Sequence, residues 1–370
     1  MHETLRNRLQ PEELASQSLN AARTLPAIMY ADPACHALDL RYIFAKSWQP
    51  VARAAELREP GDHVVAEIAG KPLLIVRGND DTLRGFFNVC KHRAGPLALT
   101  SGNAHQLQCK YHGWTYTLEG QLRAAHEMQD AADFDMSCIH LDPVPTAAWE
   151  GLVFAAVHEP SVKLGELLEG IREQIQPVEL SRMQFHTRVN YELNCNWKVY
   201  VDNYLEGYHL PHVHPGLNRL LDYRMYSTAL SQWHSCQHSP LDGTRGPYQT
   251  GDARYYFVWP NLMLNILPDR LQTNLVVPVS ERQCRVIFDY YYMDTGSAAT
   301  VKMIADDLRF SDEVQREDIA ICERVQRGLE SGAYHAGRLS PKRESGVHHF
   351  HERVRQVYRE AIGSNKESNA

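Results

Sequence analysis

Hydrophobic and polar residues follow strand-like patterns in two separate parts of the chain. The first part, residues 63–125, contains HVVAEIAGKPLLIVRG, LRGFFNVC and YHGWTYTLEGQLRAA, with turn residues at Ala69-Gly70-Lys71 and Glu119-Gly120. The second part, residues 253–292, contains YYFVWPNLMLNIL, QTNLVVPV and CRVIFDYYYM, again separated by turn signals. The first part predicts a small antiparallel domain with the loops at its tips, and the second part predicts a strand-rich region.

Helical patterns flank the strand-rich parts. They cover residues 1–30, 162–176 and 199–210 and, near the C-terminus, residues 299–331. The last stretch predicts two helices, with Ser311 as an N-cap and Gly332 as the C-terminal stop. Strands combined with terminal helices in one unit predict an α+β fold.

Composition narrows the class of protein. A chain of 370 residues is long for one core, which favours two domains. The net charge of −7 argues against a nucleic-acid or anionic-membrane surface. The polar start and the lack of an 18-residue apolar run predict a cytoplasmic location with no membrane contact. Eight cysteines are too sparse for a disulfide scaffold, and Cys90 and Cys109 are each followed by a histidine at ligand spacing.

The stretch NWKVYVDNYLEGYHLPHVHP, residues 196–215, is dense in metal-ligand residue types. If residues 199–210 are helical, Asp202, Glu206 and His209 follow at i, i+4 and i+7 and share one face. Prolines then break the helix, and His214 could fold back toward His209. Two imidazoles with one carboxylate are the ligand set of a non-haem Fe(II) site. The alternative is a polar, solvated helix face.

Two short loops carry a second set of ligand types. One has the spacing C-x-H and the other C-x-x-H, and their members are Cys90, His92, Cys109 and His112. A structural zinc site is one interpretation, because two thiolates and two imidazoles can bind zinc tetrahedrally. Each loop, however, contributes one cysteine and one histidine. That division favours a [2Fe–2S] cluster with both cysteines on one iron and both histidines on the other.

These segments resemble a known family. CKHRAGPL and CKYHGWTYTLEG resemble the two cluster-binding loops of Rieske proteins, and the 196–215 stretch resembles the mononuclear-iron motif of the Rieske non-haem iron oxygenases. The resemblance extends over residues 30–332. It implies a Rieske [2Fe–2S] cluster on the four loop residues and a mononuclear Fe(II) with His209 and His214 as ligands.

The resemblance also implies the domain organisation. We expect an N-terminal helical segment, residues 1–45, that packs on the catalytic domain. A small antiparallel β Rieske domain then covers residues 46–157. A larger helix-grip catalytic domain with a central antiparallel sheet covers residues 158–370.

The third iron ligand in this family is a carboxylate from a late helix. In DEVQREDIAICERVQRGLE, Asp318 shares a helical face with apolar residues, whereas Glu317 lies with Glu313 and Arg324 on a solvated face. A carboxylate among apolar neighbours needs a cation to balance its charge, and an iron ion can be that cation. The alternative is a salt bridge to an arginine. We therefore predict Asp318 as the third ligand.

In these oxygenases the cluster of one subunit serves the iron of its neighbour in a homotrimer. By that resemblance Glu206 hydrogen-bonds across the interface to His112 and joins the two centres. Glutamate at this position resembles the branch that oxidises choline, glycine betaine and carnitine. Asp202 is expected to orient His209 or relay protons, with a plain surface aspartate as the alternative.

A quaternary ammonium group is held by aromatic faces, because it cannot donate hydrogen bonds. The candidate aromatic residues are Tyr204, Tyr208, Trp233, Tyr255, Tyr256 and Trp259. The candidate amides are Asn203, Asn261 and Asn265. The sequence HHFHE at residues 348–352 resembles a metal site, but its polar helical context predicts a surface position.

Three functions compete at this stage. The first is oxygenation or N-demethylation of a quaternary ammonium compound, and the second is oxygenation of an aromatic ring or acid. The third is an electron carrier or zinc-stabilised binding module, against which the second set of metal ligands argues. The chain has no G-x-G-x-x-G and no plant-type ferredoxin motif. A separate NAD(P)H-dependent flavin and iron–sulfur reductase is therefore expected.

Overall fold

Two compact units make up the chain. The structure, a computed structural model, describes residue 5 and residues 7–220, 225–241 and 250–363. The smaller unit is Phe44–Leu164, and the larger unit combines Met1–Ile43 with Gly165–Ala370. In the described part of the chain, no helix is both long and apolar enough to cross a membrane.

The smaller unit is built from short antiparallel strands. They form a five-stranded sheet in the order β5-β2-β3-β4-β9 and two three-stranded sheets, β1-β11-β10 and β6-β7-β8. The strands are β1 Gln49–Arg53, β2 Asp62–Ile68, β3 Lys71–Arg77, β4 Leu83–Phe87, β5 Gly102–Asn103, β6 Leu107–Gln108, β7 Thr115–Tyr116, β8 Leu122–Ala124, β9 Pro143–Val144, β10 Thr146–Trp149 and β11 Leu152–Ala155.

Tight turns close these sheets where the sequence predicts them. Ala69 and Gly70 both have positive φ, 51° and 72°, as a two-residue turn between β2 and β3 requires. One ligand loop follows β4, and the other connects β6 to β7. Buried apolar side chains, among them Leu74, Trp114 and Tyr116, pack beneath both loops and fix them on a rigid base.

A seven-stranded antiparallel sheet forms the centre of the larger unit, in the order β12-β18-β17-β16-β15-β14-β13. Its strands are β12 Gln184–Leu193, β13 Ser227–Leu230, β14 His234–Leu241, β15 Gly251–Val258, β16 Leu262–Leu267, β17 Arg270–Ser280 and β18 Gln283–Tyr292. The predicted α+β fold with a central antiparallel sheet is confirmed.

The α-helices fall into short connectors and two long elements. They are α1 Pro11–Leu14, α2 Ile28–Ala31, α3 Pro33–Leu38, α4 Leu164–Leu167, α5 Ile171–Gln174, α6 Trp197–Tyr204, α7 Leu210–Val213, α8 Pro215–Leu220, α9 Ala298–Glu330 and α10 Ser345–Gly363. The helical N-terminal segment is therefore a series of short turns rather than one continuous helix.

Two further predictions about helices are wrong. Residues 299–331 form one helix, α9, whose N-cap is Ser297, so Ser311 is a mid-helix residue. Gly332 does follow the helix with φ +76°, as predicted. The surface position expected for residues 348–352 is also wrong, because Phe350 and His351 are fully buried on α10.

Candidate metal centres

The 196–215 stretch folds as a short helix followed by a turn. The Asn196 side chain accepts from the amide of Lys198 and caps α6, which ends at Tyr204. The predicted helix over residues 199–210 is therefore wrong at its C-terminal end. Glu206 and His209 lie in the turn after α6, and Asp202, Glu206 and His209 do not share a helical face.

The turn brings together three of the predicted ligands. His214 Nε2 lies 2.9 Å from Asp318 Oδ1, and His209 Nε2 lies 3.8 Å from the same oxygen. The ligand atoms of all three residues lie within 4.8 Å of one another. Metal–nitrogen bonds of about 2 Å place neighbouring ligand atoms roughly 3–4 Å apart. The three side chains therefore fit a single metal ion with open coordination positions.

Each of the three side chains is held by a hydrogen bond to a neighbouring side chain. Glu206 Oε1 lies 2.6 Å from His209 Nδ1, and Glu317 Oε2 lies 2.7 Å from His214 Nδ1. Asn203 Nδ2 donates to Asp318 Oδ1 at 2.6 Å. Carboxylates on Nδ1 leave Nε2 of each ring for a metal. Glu317 is therefore part of the site, and its assignment to a solvated face is wrong.

The charges around His214 favour a cation. Burial lowers the pKa of His214, but the hydrogen bonds and negative charges of Asp318 and Glu317 outweigh burial and raise its pKa above the ordinary value. An environment that stabilises a protonated imidazole also stabilises a metal ion at the same place.

Asp202 faces a different group of residues from the one expected. Its carboxylate accepts from Tyr30 Oη at 2.6 Å and lies 2.9 Å from His351 Nε2. The hydrogen bond that orients His209 comes from Glu206, so the orienting role predicted for Asp202 is wrong. Asp202 instead ties α6 to α10 and to the N-terminal segment. This contact of His351 has no local sequence signal, because the residue lies far from Asp202 along the chain.

The four loop residues of the smaller unit also converge. His92 Nδ1 and His112 Nδ1 lie 3.1 Å apart, and the His92 ring stacks on Trp114. Cys90 and Cys109 are both buried beneath them. Main-chain hydrogen bonds join the loops, including Lys110 N to Pro96 O. The amides of His92 and Tyr111 and the hydroxyl of Tyr116 lie within hydrogen-bonding distance of the cysteine sulfurs.

The arrangement of the loops favours one of the two interpretations of the motif, the two-iron cluster. In the described part of the chain, only His209, His214 and Asp318 place three or more ligand atoms close enough for one ion. The four loop residues lie as two pairs, with the two cysteines buried and the two histidine rings together above them. They pair histidine with histidine, as a two-iron cluster requires. His112 is exposed at the edge of the loops.

A cavity of about 130 Å³ opens beside the His209, His214 and Asp318 group. Of the predicted pocket residues, Tyr204, Tyr255, Asn203 and Asn265 line it. Tyr208 is exposed, whereas Tyr256, Trp259 and Asn261 are buried outside its lining, and Trp233 stacks with Arg353. The pattern did not single out Tyr226 or Phe288, which also line the cavity. Strand alternation could have indicated Phe288.

Family models match both units. The model described as "Rieske [2Fe-2S] domain" matches residues 47–140. The model described as "Ring hydroxylating alpha subunit (catalytic domain)" matches residues 180–360.

Similar proteins cover nearly the whole chain. A choline monooxygenase of Arabidopsis thaliana, described as chloroplastic, is 35% identical over 90% of this chain and 82% of its own. The carnitine monooxygenase oxygenase subunit of Escherichia coli K12 is 30% identical over 92% of this chain and 95% of its own.

Solved structures share the fold. The quaternary ammonium Rieske monooxygenase CntA in complex with L-carnitine has a TM-score of 0.81 and 28% identity, covering 92% of this chain and 97% of that one. Naphthalene 1,2-dioxygenase from Rhodococcus has a TM-score of 0.73 and 20% identity, covering 91% of this chain and 94% of that one, and supports the fold alone.

Proposed function

The chain belongs to the Rieske non-haem iron oxygenases, and from that membership we propose that it oxidises a quaternary ammonium compound with O2. It is then the oxygenase component of a monooxygenase, and a separate reductase supplies the electrons. Both family models match. The protein accordingly uses a Rieske [2Fe–2S] cluster and a mononuclear iron.

The observation that carries the proposal is the group of His209, His214 and Asp318 beside an aromatic cavity. We assign these three residues as ligands of the mononuclear iron. We assign Cys90, His92, Cys109 and His112 as ligands of the cluster. When bound, the iron supplies O2 activation and the cluster supplies electrons one at a time.

The residues around the iron ligands keep the site ready for the reaction. Glu206 and Glu317 accept hydrogen bonds from the Nδ1 atoms of the two histidines. The imidazoles are thereby held in the neutral form, with Nε2 available to bind the metal. Asn203 donates a hydrogen bond to Asp318 Oδ1, the oxygen that also faces the two imidazoles. Because these contacts exist within the folded chain, the ligands need little reorganisation before oxygen chemistry.

The tyrosines of the cavity suit a cation that cannot donate hydrogen bonds. Tyr204, Tyr226 and Tyr255 line it, and the Tyr204 hydroxyl is held by Asn265 at 2.7 Å. Aromatic faces attract a trimethylammonium group without requiring a counter-ion. Relatives named for choline and carnitine support this substrate class. The product is hydroxylated next to nitrogen or loses a methyl group as formaldehyde.

We further propose a homotrimer in which Glu206 connects His209 to His112 of the neighbouring subunit. Glu206 already accepts from His209, and His112 is exposed in the smaller unit. The NAD(P)H-dependent reductase is a separate protein that carries flavin and an iron–sulfur centre. We place the enzyme in the cytoplasm, a reducing compartment, because none of its eight cysteines is in a disulfide and two of them are assigned to the cluster.

A reconstituted assay tests the proposed function. The purified protein is combined with a Rieske-oxygenase reductase and NADH, and O2 consumption and product are measured with choline, glycine betaine, γ-butyrobetaine and benzoate. We expect substrate-dependent turnover with at least one quaternary ammonium compound and none with benzoate. Turnover of benzoate alone would refute the proposal.

A further inference from the structure

One face of α9 runs along the cavity from the iron ligands to a buried ion pair. Asp307, Ser311, Val314 and Asp318 follow one another at i, i+4, i+7 and i+11 and therefore share that face. At 1.5 Å per residue, Asp307 and Asp318 are separated by about 16 Å along the helix axis. The helix thus presents one carboxylate to the iron site and another beyond the far end of the cavity.

The opposite wall of the cavity is a row of polar residues on β17. Arg270, Gln272 and Asn274 occupy alternate positions of the strand and therefore lie on one face of the sheet. All three line the cavity. Gln272 Nε2 donates to Asn274 Oδ1 at 2.8 Å, and Ser311 Oγ donates to Gln272 Oε1 at 3.2 Å. This end of the cavity is rich in neutral hydrogen-bonding groups.

The only formal positive charge among the described residues that line this end is already balanced. Arg270 Nη1 forms an ion pair with Asp307 Oδ1, and both side chains are almost fully buried. Tyr292 Oη donates to the other oxygen of Asp307 at 2.7 Å. Because Asp307 neutralises Arg270, this end of the cavity has no net positive charge.

The charge balance decides which end group of a substrate this wall accepts. A substrate carboxylate would be a third buried charge beside a pair that sums to zero, and buried charges are costly unless they are paired. A hydroxyl or amide needs only hydrogen bonds, which the wall offers. Gln315 Nε2, which belongs to a lining residue, is buried with no hydrogen-bond partner among the described residues. It is a donor that a neutral acceptor could satisfy.

We infer that the Arg270–Asp307 pair selects quaternary ammonium substrates whose polar end group is uncharged and discriminates against those that end in a carboxylate. The inference rests on the proposed function and narrows its substrate class. Arg270 and Asp307 act as specificity residues, because Asp307 neutralises Arg270 and neither is an iron ligand.

The test compares choline with glycine betaine, two small trimethylammonium compounds that end in a hydroxyl and a carboxylate. Reconstituted wild-type holoenzyme should show the higher kcat/KM and the tighter binding, by calorimetry, with choline. Asp307→Asn should lower the choline-to-betaine ratio of kcat/KM about tenfold or more, because a substrate carboxylate then replaces the lost counter-ion.

Two further variants separate specificity from damage to the fold. Asp306→Asn, on the exposed side of the same turn, should keep the wild-type ratio. The double variant Arg270→Gln/Asp307→Asn removes both charges and should keep the preference for choline within about threefold. The double variant leaves no unpaired buried charge, so it can be tested even if the single variant folds poorly. Folding is followed by the cluster absorbance.

Several outcomes overturn the inference. One is a wild-type enzyme that prefers glycine betaine, and another is an unchanged ratio in folded Asp307→Asn. A third is a double variant that loses its preference for choline. If the wild-type enzyme oxidises no quaternary ammonium compound at all, the proposed function fails and the inference fails with it. Turnover of both compounds at equal efficiency contradicts the inference alone.

Discussion

Individual side chains determine how the two histidines of the iron site are presented. Glu206 and Glu317 each accept from an Nδ1 atom, one from within the ligand turn and one from α9. The neighbouring carboxylates Glu317 and Asp318 thus reach the same imidazole from two sides. Such supporting carboxylates raise ligand basicity and fix ring orientation.

Replacing Glu317 should weaken iron binding without removing a ligand. We expect Glu317→Gln to lower the affinity of the mononuclear site for Fe(II) about 10–100-fold, because His214 loses a charged acceptor. Iron titration of the purified holoenzyme, with the cluster spectrum as an internal reference, measures the change. Glu313→Gln, an exposed position one turn earlier on α9, serves as the control and should bind iron like the wild type.

A glycine in the first ligand loop controls the cluster site. A Cβ on Gly95 would lie 2.9 Å from Cys109 Sγ and 2.8 Å from Tyr111 Cβ, closer than packed atoms allow. Gly95→Ala should therefore lose most of the cluster absorbance and its EPR signal. Gly102→Ala, where the nearest atom lies 4.0 Å away, should retain both. Full cluster content in Gly95→Ala would contradict this packing argument.

Residue spacing allowed much of the site to be predicted. The loop motifs indicate Cys90 and His112 with their partners as candidate ligands, and the apolar face of the late helix indicates Asp318. Glu317 was assigned to solvent, because a helical wheel cannot show that the ligand turn folds over the neighbouring position. Asn203 and His351 were missed as contacts because they depend on tertiary packing.

At the scale of elements, the early end of α6 shapes the iron site. The helix stops at Tyr204, and the following turn carries Glu206 and His209 to the cavity. Sequence periodicity extended this helix because acidic residues and histidine happen to recur at helical spacing. Ser311 similarly suggested a break in α9, although its hydroxyl is used by Tyr290 and Gln272 instead. In both helices, tertiary packing rather than local helix propensity determines where the helix ends.

Close packing of α10 against the end of α6 should be essential for the ligand turn. A Cβ on Gly346 would lie 2.5 Å from the carbonyl oxygen of Leu205, the residue before Glu206. Gly346→Ala should destabilise the larger unit by about 1–3 kcal/mol and reduce turnover, because the turn must shift. Thermal unfolding and the reconstituted assay measure the two effects.

The matched control for this substitution lies on α9. Gly328 has no atom within 4 Å of an added Cβ. Gly328→Ala should therefore be neutral or stabilise the protein by up to about 1 kcal/mol, through helix propensity alone. Equal behaviour of the two variants would show that the approach of α10 to Leu205 does not position the ligand turn.

At the scale of the whole molecule, the chain combines a unit suited to electron entry with a unit suited to oxygen chemistry. Short apolar runs between turn residues are sufficient to predict an antiparallel domain at residues 63–125 and a strand-rich region at residues 253–292, because each strand and turn has its own local pattern. The order of strands in the seven-stranded sheet depends on long-range pairing, such as β12 with β18, which a local pattern does not contain.

Metal content should reflect this division. The holoenzyme should contain about three irons per chain, two in the cluster and one at the mononuclear site. Asp318→Ala should contain about two and keep the EPR signal of the reduced cluster. Atomic absorption with EPR of the same samples measures both, and loss of the cluster signal in Asp318→Ala would contradict the ligand assignment.

Product formation in the reconstituted system tests the central claim most directly. Wild-type enzyme and Asp318→Ala are each supplied with reductase, NADH, O2 and a quaternary ammonium substrate, and the oxidised product is identified by mass spectrometry. We predict product in step with O2 consumption for the wild type and none for Asp318→Ala, although its cluster is still reduced. Undiminished product from Asp318→Ala would contradict oxygen activation at an iron held by His209, His214 and Asp318.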